Sequence, residues 1–175
     1  MPRYLGIDPG AKGSLCLLDP CGDITFYFTP FAFNTTRPAT GFKNPSTIDL
    51  FRQLDTESVI NPIVLVGIED VHSLFGMSAK SNFNFGRNVQ AVTTLIHCLG
   101  MQYQLVQPKV WQKTIELIPG AYKGDPKGLK QAIATKALEL YPGVTLYGPK
   151  GGLMDGRSDA LMIAHYLRLQ HQGEF

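Results

Sequence analysis

YLGIDPGAKGS (Tyr4–Ser14) and VLVGIEDVH (Val64–His72) are the two stretches on which the fold turns. Each is an apolar run closing on Gly, Ile and one carboxylate, Asp8 in the first and Glu69 in the second. The second apolar run belongs to PIVLVGIE, which is partly β-branched and too short for a typical helix, and it reads as a strand covered on both faces. A carboxylate at the end of a buried strand is costly to desolvate unless it is paired or bound to a metal. If the two strands lie parallel and adjacent, Asp8 and Glu69 emerge side by side at the carboxyl edge of the sheet, where α/β proteins bind their ligands. Their mutual repulsion then favours a divalent cation between them.

Composition is compatible with one domain over residues 1–175. The chain of 175 residues is 44% hydrophobic and 17% charged, enough to bury a core without disulfide or metal staples. Cys16, Cys21 and Cys98 are odd in number and lack paired metal-ligand spacing, which suits a reducing compartment. The histidines His72, His97, His165 and His171 form no HExxH-type cluster, which argues against zinc. No apolar run reaches membrane-spanning length and MPRYLGID carries no apolar signal core, so a cytoplasmic protein is expected. The net charge is only +2, yet with four acids set aside as a cation site the remainder is distinctly positive, a plausible surface for phosphate.

Outward from the first stretch, residues 3–8, residues 13–19 and ITFYFT from Ile24 read as three strands joined by tight turns, an antiparallel meander. Pro30 to Pro45 reads as a long irregular loop. STID at Ser46 has the form of a capping box, with a short helix through about Asp55. Asn82 to Leu99 has an apolar stripe of Phe85, Val89, Val92, Leu95, Ile96 and Leu99, and Gly100 stops it. QYQLVQP is a further strand, followed by a short helix after Pro108, a longer one from Gly128 to Tyr141, and a last helix carrying Ala160, Leu161, Ile163, Ala164 and Leu167. Early antiparallel strands followed by strands joined through helices predict an α/β fold with a mixed five-stranded sheet flanked by helices, the ribonuclease H-like arrangement.

That last helix brings the third contribution, in MDGRSDALMIAHYL. Asp155 and Asp159 are four apart, so they share a helix face near its N-terminus, where the dipole favours negative charge. Hard oxygen donors suit Mg²⁺ or Mn²⁺, and two ions about 3.5–4 Å apart activate water and stabilise a leaving oxygen in phosphodiester cleavage. Taken singly, each acid has a simpler use: Asp8 in an Asp-Pro-Gly turn, Glu69 at a solvated loop, Asp155 as a cap, Asp159 as a first-turn acid. Together, in this order and spacing, they are more specific.

GIDPG near the start, an apolar strand ending in IE, an F-rich amphipathic helix with Gly86, QPKVWQKTI, a Lys-bearing loop and helix, and terminal SDALMIA resemble the RuvC family of Holliday-junction resolvases over nearly the whole chain. The resemblance implies a homodimeric endonuclease of a bacterial or phage-infected cytoplasm that nicks a four-way DNA junction symmetrically, using four acids and Mg²⁺. Asp8, Glu69 and Asp159 fall on the family's motif positions. Asp155 departs from it, because many members place an Asp or His three residues before the last acid, where this chain has Gly156. His72 stands where bacterial proteins commonly have an aromatic wedge, and Phe75 is the alternative, as wedge or as a loop residue against a dimer partner.

Lys109, Lys113, Lys123, Lys127 and Lys130 stand against only Glu116 and Asp125 in their stretch. Such lysines are often a solvated face; the resemblance implies that they approach phosphates, with Lys113 and either Lys127 or Lys130 nearest. Arg157, between the two acids, is expected to contact phosphate or to pair with Asp155. Tyr122 offers a stacking surface, Trp111 reads as core, and Phe83, Phe85, Val89 and Val92 read as core or dimer seam. Competing functions are a ribonuclease H-like nuclease acting on RNA or flaps, an actin-like nucleotide-binding domain, for which a second phosphate loop is missing, and a non-catalytic junction binder.

Overall fold

The structure, a computed structural model, describes residues 2–10, 12–29, 47–71 and 78–174. The expected 30–45 loop, Ser46 of the capping box, His72 and Phe75 lie outside the described residues. Among the described residues, five strands and five α-helices run in the order β1 (Arg3–Ile7), β2 (Ser14–Leu18), β3 (Ile24–Phe28), α1 (Thr47–Ile60), β4 (Ile63–Glu69), α2 (Ala79–Cys98), β5 (Tyr103–Val106), α3 (Pro108–Thr114), α4 (Pro126–Leu140) and α5 (Asp155–Gln172), with a 3₁₀ turn at Pro119–Tyr122. The sheet order is β3-β2-β1-β4-β5; β1 to β3 form the expected antiparallel meander, and β4 and β5 add in parallel.

Strand alternation sorts the core into two layers. Leu5, Ile7, Leu15, Leu17, Val66 and Ile68 point to one face and pack with Leu50 and Leu54 of α1 and Val92, Leu95 and Ile96 of α2. Tyr4, Cys16 and Leu18 point to the other, against Trp111 of α3, Ile133, Ala134 and Ala137 of α4, and the 160–164 run of α5. The sheet thus lies between α1 and α2 on one side and α3, α4 and α5 on the other. β1 and β2 are buried along their whole length, whereas β4 is covered on both faces only at Val66, Gly67 and Ile68, with Val64 exposed.

Three helix boundaries differ from expectation. α1 continues to Ile60 rather than stopping near Asp55: Leu50 and Leu54 keep it on the sheet, and the buried Arg3 guanidinium donates to the carbonyls of Glu57 and Asn61 and to Glu57 Oε2. α2 starts at Ala79, where the Ser78 hydroxyl caps the Ser81 N–H at 3.2 Å. α4 starts at Pro126, with Asp125 accepting from the Gly128 N–H at 2.9 Å.

The repeated Gly-Ile-acid pattern has a packing reason. Gly6 and Gly67 are register partners on the parallel pair β1 and β4, and α5 crosses directly over them. A methyl group at Gly6 would fall on the Ala160 carbonyl oxygen and 2.5 Å from the Ala164 nitrogen, both backbone atoms. At Gly67 it would meet only side-chain tips, Ile163 Cγ2 at 3.0 Å and the Leu167 methyls at 3.2 Å. Gly6→Ala is therefore expected to cost about 3 kcal/mol of unfolding free energy and Gly67→Ala about 1 kcal/mol. Urea denaturation of both variants checks the ranking, and equal costs would mean that α5 does not lie against the β1 backbone.

Candidate active site: four carboxylates at one sheet edge

The condition set by the sequence is met. β1 and β4 are parallel neighbours with Ile7 opposite Ile68, so the next pair along the register is Asp8 beside Glu69. Alternation turns both side chains to the face that carries α5, because Ile7 and Ile68 point to the α1–α2 layer. α5 begins at Asp155, and Asp159 lies one turn further along it. Gly156 fixes how close that helix start comes: a Cβ there would sit 2.7 Å from Gly13 Cα and 2.9 Å from Asp8 Oδ2. A side chain at residue 156 would force the backbone at Lys12 and Gly13 to move.

Each acid has a distinct environment. Asp8 Oδ1 accepts the Gly10 N–H at 2.8 Å, so the turn role of Asp-Pro-Gly is real and leaves Oδ2 for other uses. Glu69 Oε1 accepts the indole N–H of Trp111 at 3.3 Å. Asp155 pairs with the ammonium of Lys130 from α4. Asp159 Oδ1 is buried and has no hydrogen-bond partner among the described residues, an expensive condition for a carboxylate.

These surroundings raise the proton affinity of Asp8, Glu69 and Asp159. Burial, opposed by the Gly10 N–H bond and reinforced by Asp155, lifts Asp8 to about 6. Burial and then the Asp8 charge lift Glu69 to about 7, with the Trp111 bond acting the other way. Burial, then Asp8, Glu69 and Asp155, hold Asp159 well above the ordinary range. Lys130 is raised in turn, first by its bond to Asp155. All four acids therefore enter one electrostatic unit. Among the described residues no three acid, imidazole or thiol groups are already close enough to share one metal ion. The fit to a hard divalent cation rests on the all-oxygen donor set and on the unpartnered Asp159 oxygen.

Of the expected phosphate contacts, Lys130 alone is paired with one of these acids. Lys109 and Lys113 are exposed on α3, two residues to either side of the buried Trp111, and Lys123 and Lys127 are exposed before and at the start of α4. Arg157 does not pair with Asp155. Its Nη1 donates to the Thr145 carbonyl at 2.9 Å, and its guanidinium lies 5.0 Å from the Phe26 ring centre and 5.8 Å from that of Phe28. Trp111 is core as expected, but sequence reasoning missed its bond to Glu69. The signal was available, since a buried indole N–H needs an acceptor and Glu69 was a buried acid in want of a donor. On α2, Val92 is core, while Phe83 is exposed and Phe85 and Val89 are half-buried.

No protein-family model and no curated protein matches the chain. Among solved structures it is similar to Thermus thermophilus RuvC in complex with Holliday junction substrate, at 14% identity and a TM-score of 0.61, covering 99% of this chain and 97% of that one. It is also similar to a Thermus thermophilus RuvC structure without that description, at 13% identity and a TM-score of 0.56, covering 98% and 96%. The fold is ribonuclease H-like. The resemblance read from the sequence therefore holds for the fold along nearly the whole chain. Among the described residues no helix is long and apolar enough to cross a membrane.

The raised acids predict a pH signature. Glu69 has its folded value near 7 against an ordinary 4.5, so folding takes up a proton between those values. The stability this group contributes is present below about pH 4.5 and is lost as pH rises through 7, a difference on the order of 3 kcal/mol. Glu69→Gln escapes that loss while still accepting from Trp111. In chelator, its melting temperature is expected to match wild type near pH 4.5 and to exceed it by several degrees at pH 8. An offset that stays constant with pH, followed by scanning calorimetry, would contradict this environment.

Proposed function

We propose that the chain is a divalent-metal-dependent endonuclease that resolves four-way DNA junctions by paired phosphodiester cleavage. The observation that carries this reading is the gathering of Asp8, Glu69, Asp155 and Asp159 from three separate stretches of chain onto one face of one sheet edge. The fold likeness to a protein solved with a Holliday junction directs the choice of substrate. In this reading residues 1–175 form one nuclease domain, two copies act as a homodimer on a two-fold substrate, and the protein works in the cytoplasm.

Asp8, Glu69, Asp155 and Asp159 would hold Mg²⁺, with two ions per site and Mn²⁺ as a substitute. Bound there, such ions supply a nucleophilic water and charge stabilisation at the cleaved phosphate. The chain's own residues prepare the site. The Gly10 N–H fixes one oxygen of Asp8, Trp111 holds Glu69 against the end of β4, and α5 supplies Asp155 and Asp159 from its first turns. Lys130 neutralises Asp155 in the free protein and, released, is placed to meet a phosphate. Lys109, Lys113, Lys123 and Lys127 extend the positive surface along α3 and α4, and Phe75 keeps its proposed contact with the junction.

Purified protein with Mg²⁺ is expected to nick a synthetic four-way junction at paired positions, leaving ligatable ends. Asp8→Asn should slow cleavage roughly 10³-fold or more while junction affinity in chelator stays within about threefold of wild type. Gel assays at matched salt on junction, duplex, flap and RNA–DNA hybrid test this. Equal or better cutting of the hybrid would move the protein to another ribonuclease H-like nuclease activity, and full cleavage by Asp8→Asn would remove the acids from the reaction.

A further inference from the structure

The acid edge continues sideways into a surface that the four carboxylates do not use. Register carries the row Glu69–Asp8 onward: the Asp8 N–H donates to the Ser14 carbonyl at 3.0 Å, and Ser14 is the partner of Phe28. Phe28 therefore ends β3 on the same transverse row as Asp8, two strands away, or about 10 Å. It also points to the same face. Phe26, two residues earlier, packs with the α3–α5 layer, whereas Tyr27 between them packs with the α1–α2 layer.

Phe28 is at the sheet's outer edge and remains 51% exposed. Arg157 comes to it from α5, in the turn between Asp155 and Asp159. The Thr145 carbonyl holds one guanidinium nitrogen, Nη1, and the plane lies near both rings. No other hydrogen bond joins the remaining Arg157 nitrogens to a described residue. A cover for Phe28 would leave the ring buried. What the structure presents instead is a half-open ring beside a fixed cation, level with the acids.

An exposed aromatic ring gives a π-face to any base, and a guanidinium beside it gives charge to the adjoining phosphate. We propose that Phe28 and Arg157 form a stacking site for an unpaired nucleobase of the strand being cut, next to the cleaved phosphate. This rests on the nuclease reading, since the site matters only if a DNA strand lies along the acid edge. Arg157 thereby gains a phosphate role different from pairing with Asp155, and Phe28 becomes a specificity-determining contact outside the acid cluster.

Binding of a short single-stranded oligonucleotide and of a four-way junction, in chelator, tests the site. Phe28→Ala is expected to weaken both by roughly 5-fold or more, with Phe28→Trp restoring them. Only one tryptophan, the buried Trp111, is native, so added emission in Phe28→Trp reports the new ring, and bound DNA should quench it. An abasic nucleotide at the stacked position should abolish the quenching and remove the difference between wild type and Phe28→Ala. Unchanged affinity for Phe28→Ala with an unchanged melt, or quenching indifferent to every abasic position, overturns the stacking site. Either result alongside normal junction nicking by wild type leaves the nuclease reading intact, whereas full cleavage by Asp8→Asn sinks that reading instead.

Discussion

The seating of α5 on two glycines is the constraint from which the rest of the site follows. Gly6 and Gly67 face each other across β1 and β4, and without side chains they let the helix backbone come within contact of the strand. A helix held that low carries its first turn to the strand ends, where Gly156 meets the β1–β2 turn and Asp8. Had either strand a bulky residue there, α5 would ride higher and its acids would face water rather than Asp8 and Glu69. The two glycines thus act on the chemistry through packing.

Close approach has an electrostatic cost that this protein keeps. Three acids are held at raised proton affinity, one with a buried oxygen that has no hydrogen-bond partner among the described residues, and a lysine from α4 is drawn in to neutralise a fourth. Such a cluster contributes little to stability and concentrates like charge at one sheet edge. The rest of the fold has its own compensations. Arg3, though charged and buried, satisfies the carboxyl end of α1, and Tyr141 donates to or accepts from His165 at 2.8 Å inside the α4–α5 contact. Burial and the nearby Arg168 charge lower His165 to about 4, so it stays neutral near neutral pH.

Much of the fold was legible because its signals are local. Alternation and short apolar runs mark all five strands, and the 3.6-residue stripe marks α2 and α5. Boundaries were less legible where a distant residue decides them. The end of α1 depends on Arg3, far away in sequence, which meets Glu57 and the Asn61 carbonyl beyond the polar, exposed Asp55 and Thr56. The acids, too, were found by position: a carboxylate at a strand end is conspicuous in one dimension. Arg157 was not, since its neighbours in sequence are acids and its neighbours in space are aromatic rings.

By itself the sequence determined which segments are strands and helices and which carboxylates end them, because periodicity and turn chemistry are written along the chain. Only the tertiary structure decided that Trp111 anchors Glu69, that Lys130 rather than Lys113 pairs with an acid of the cluster, and that Arg157 turns to Phe26 and Phe28. Those partners come from helices laid across the sheet. Which helix residue meets which strand end depends on how closely the backbones can approach, and at Gly6, Gly67 and Gly156 that is set by side chains that are absent.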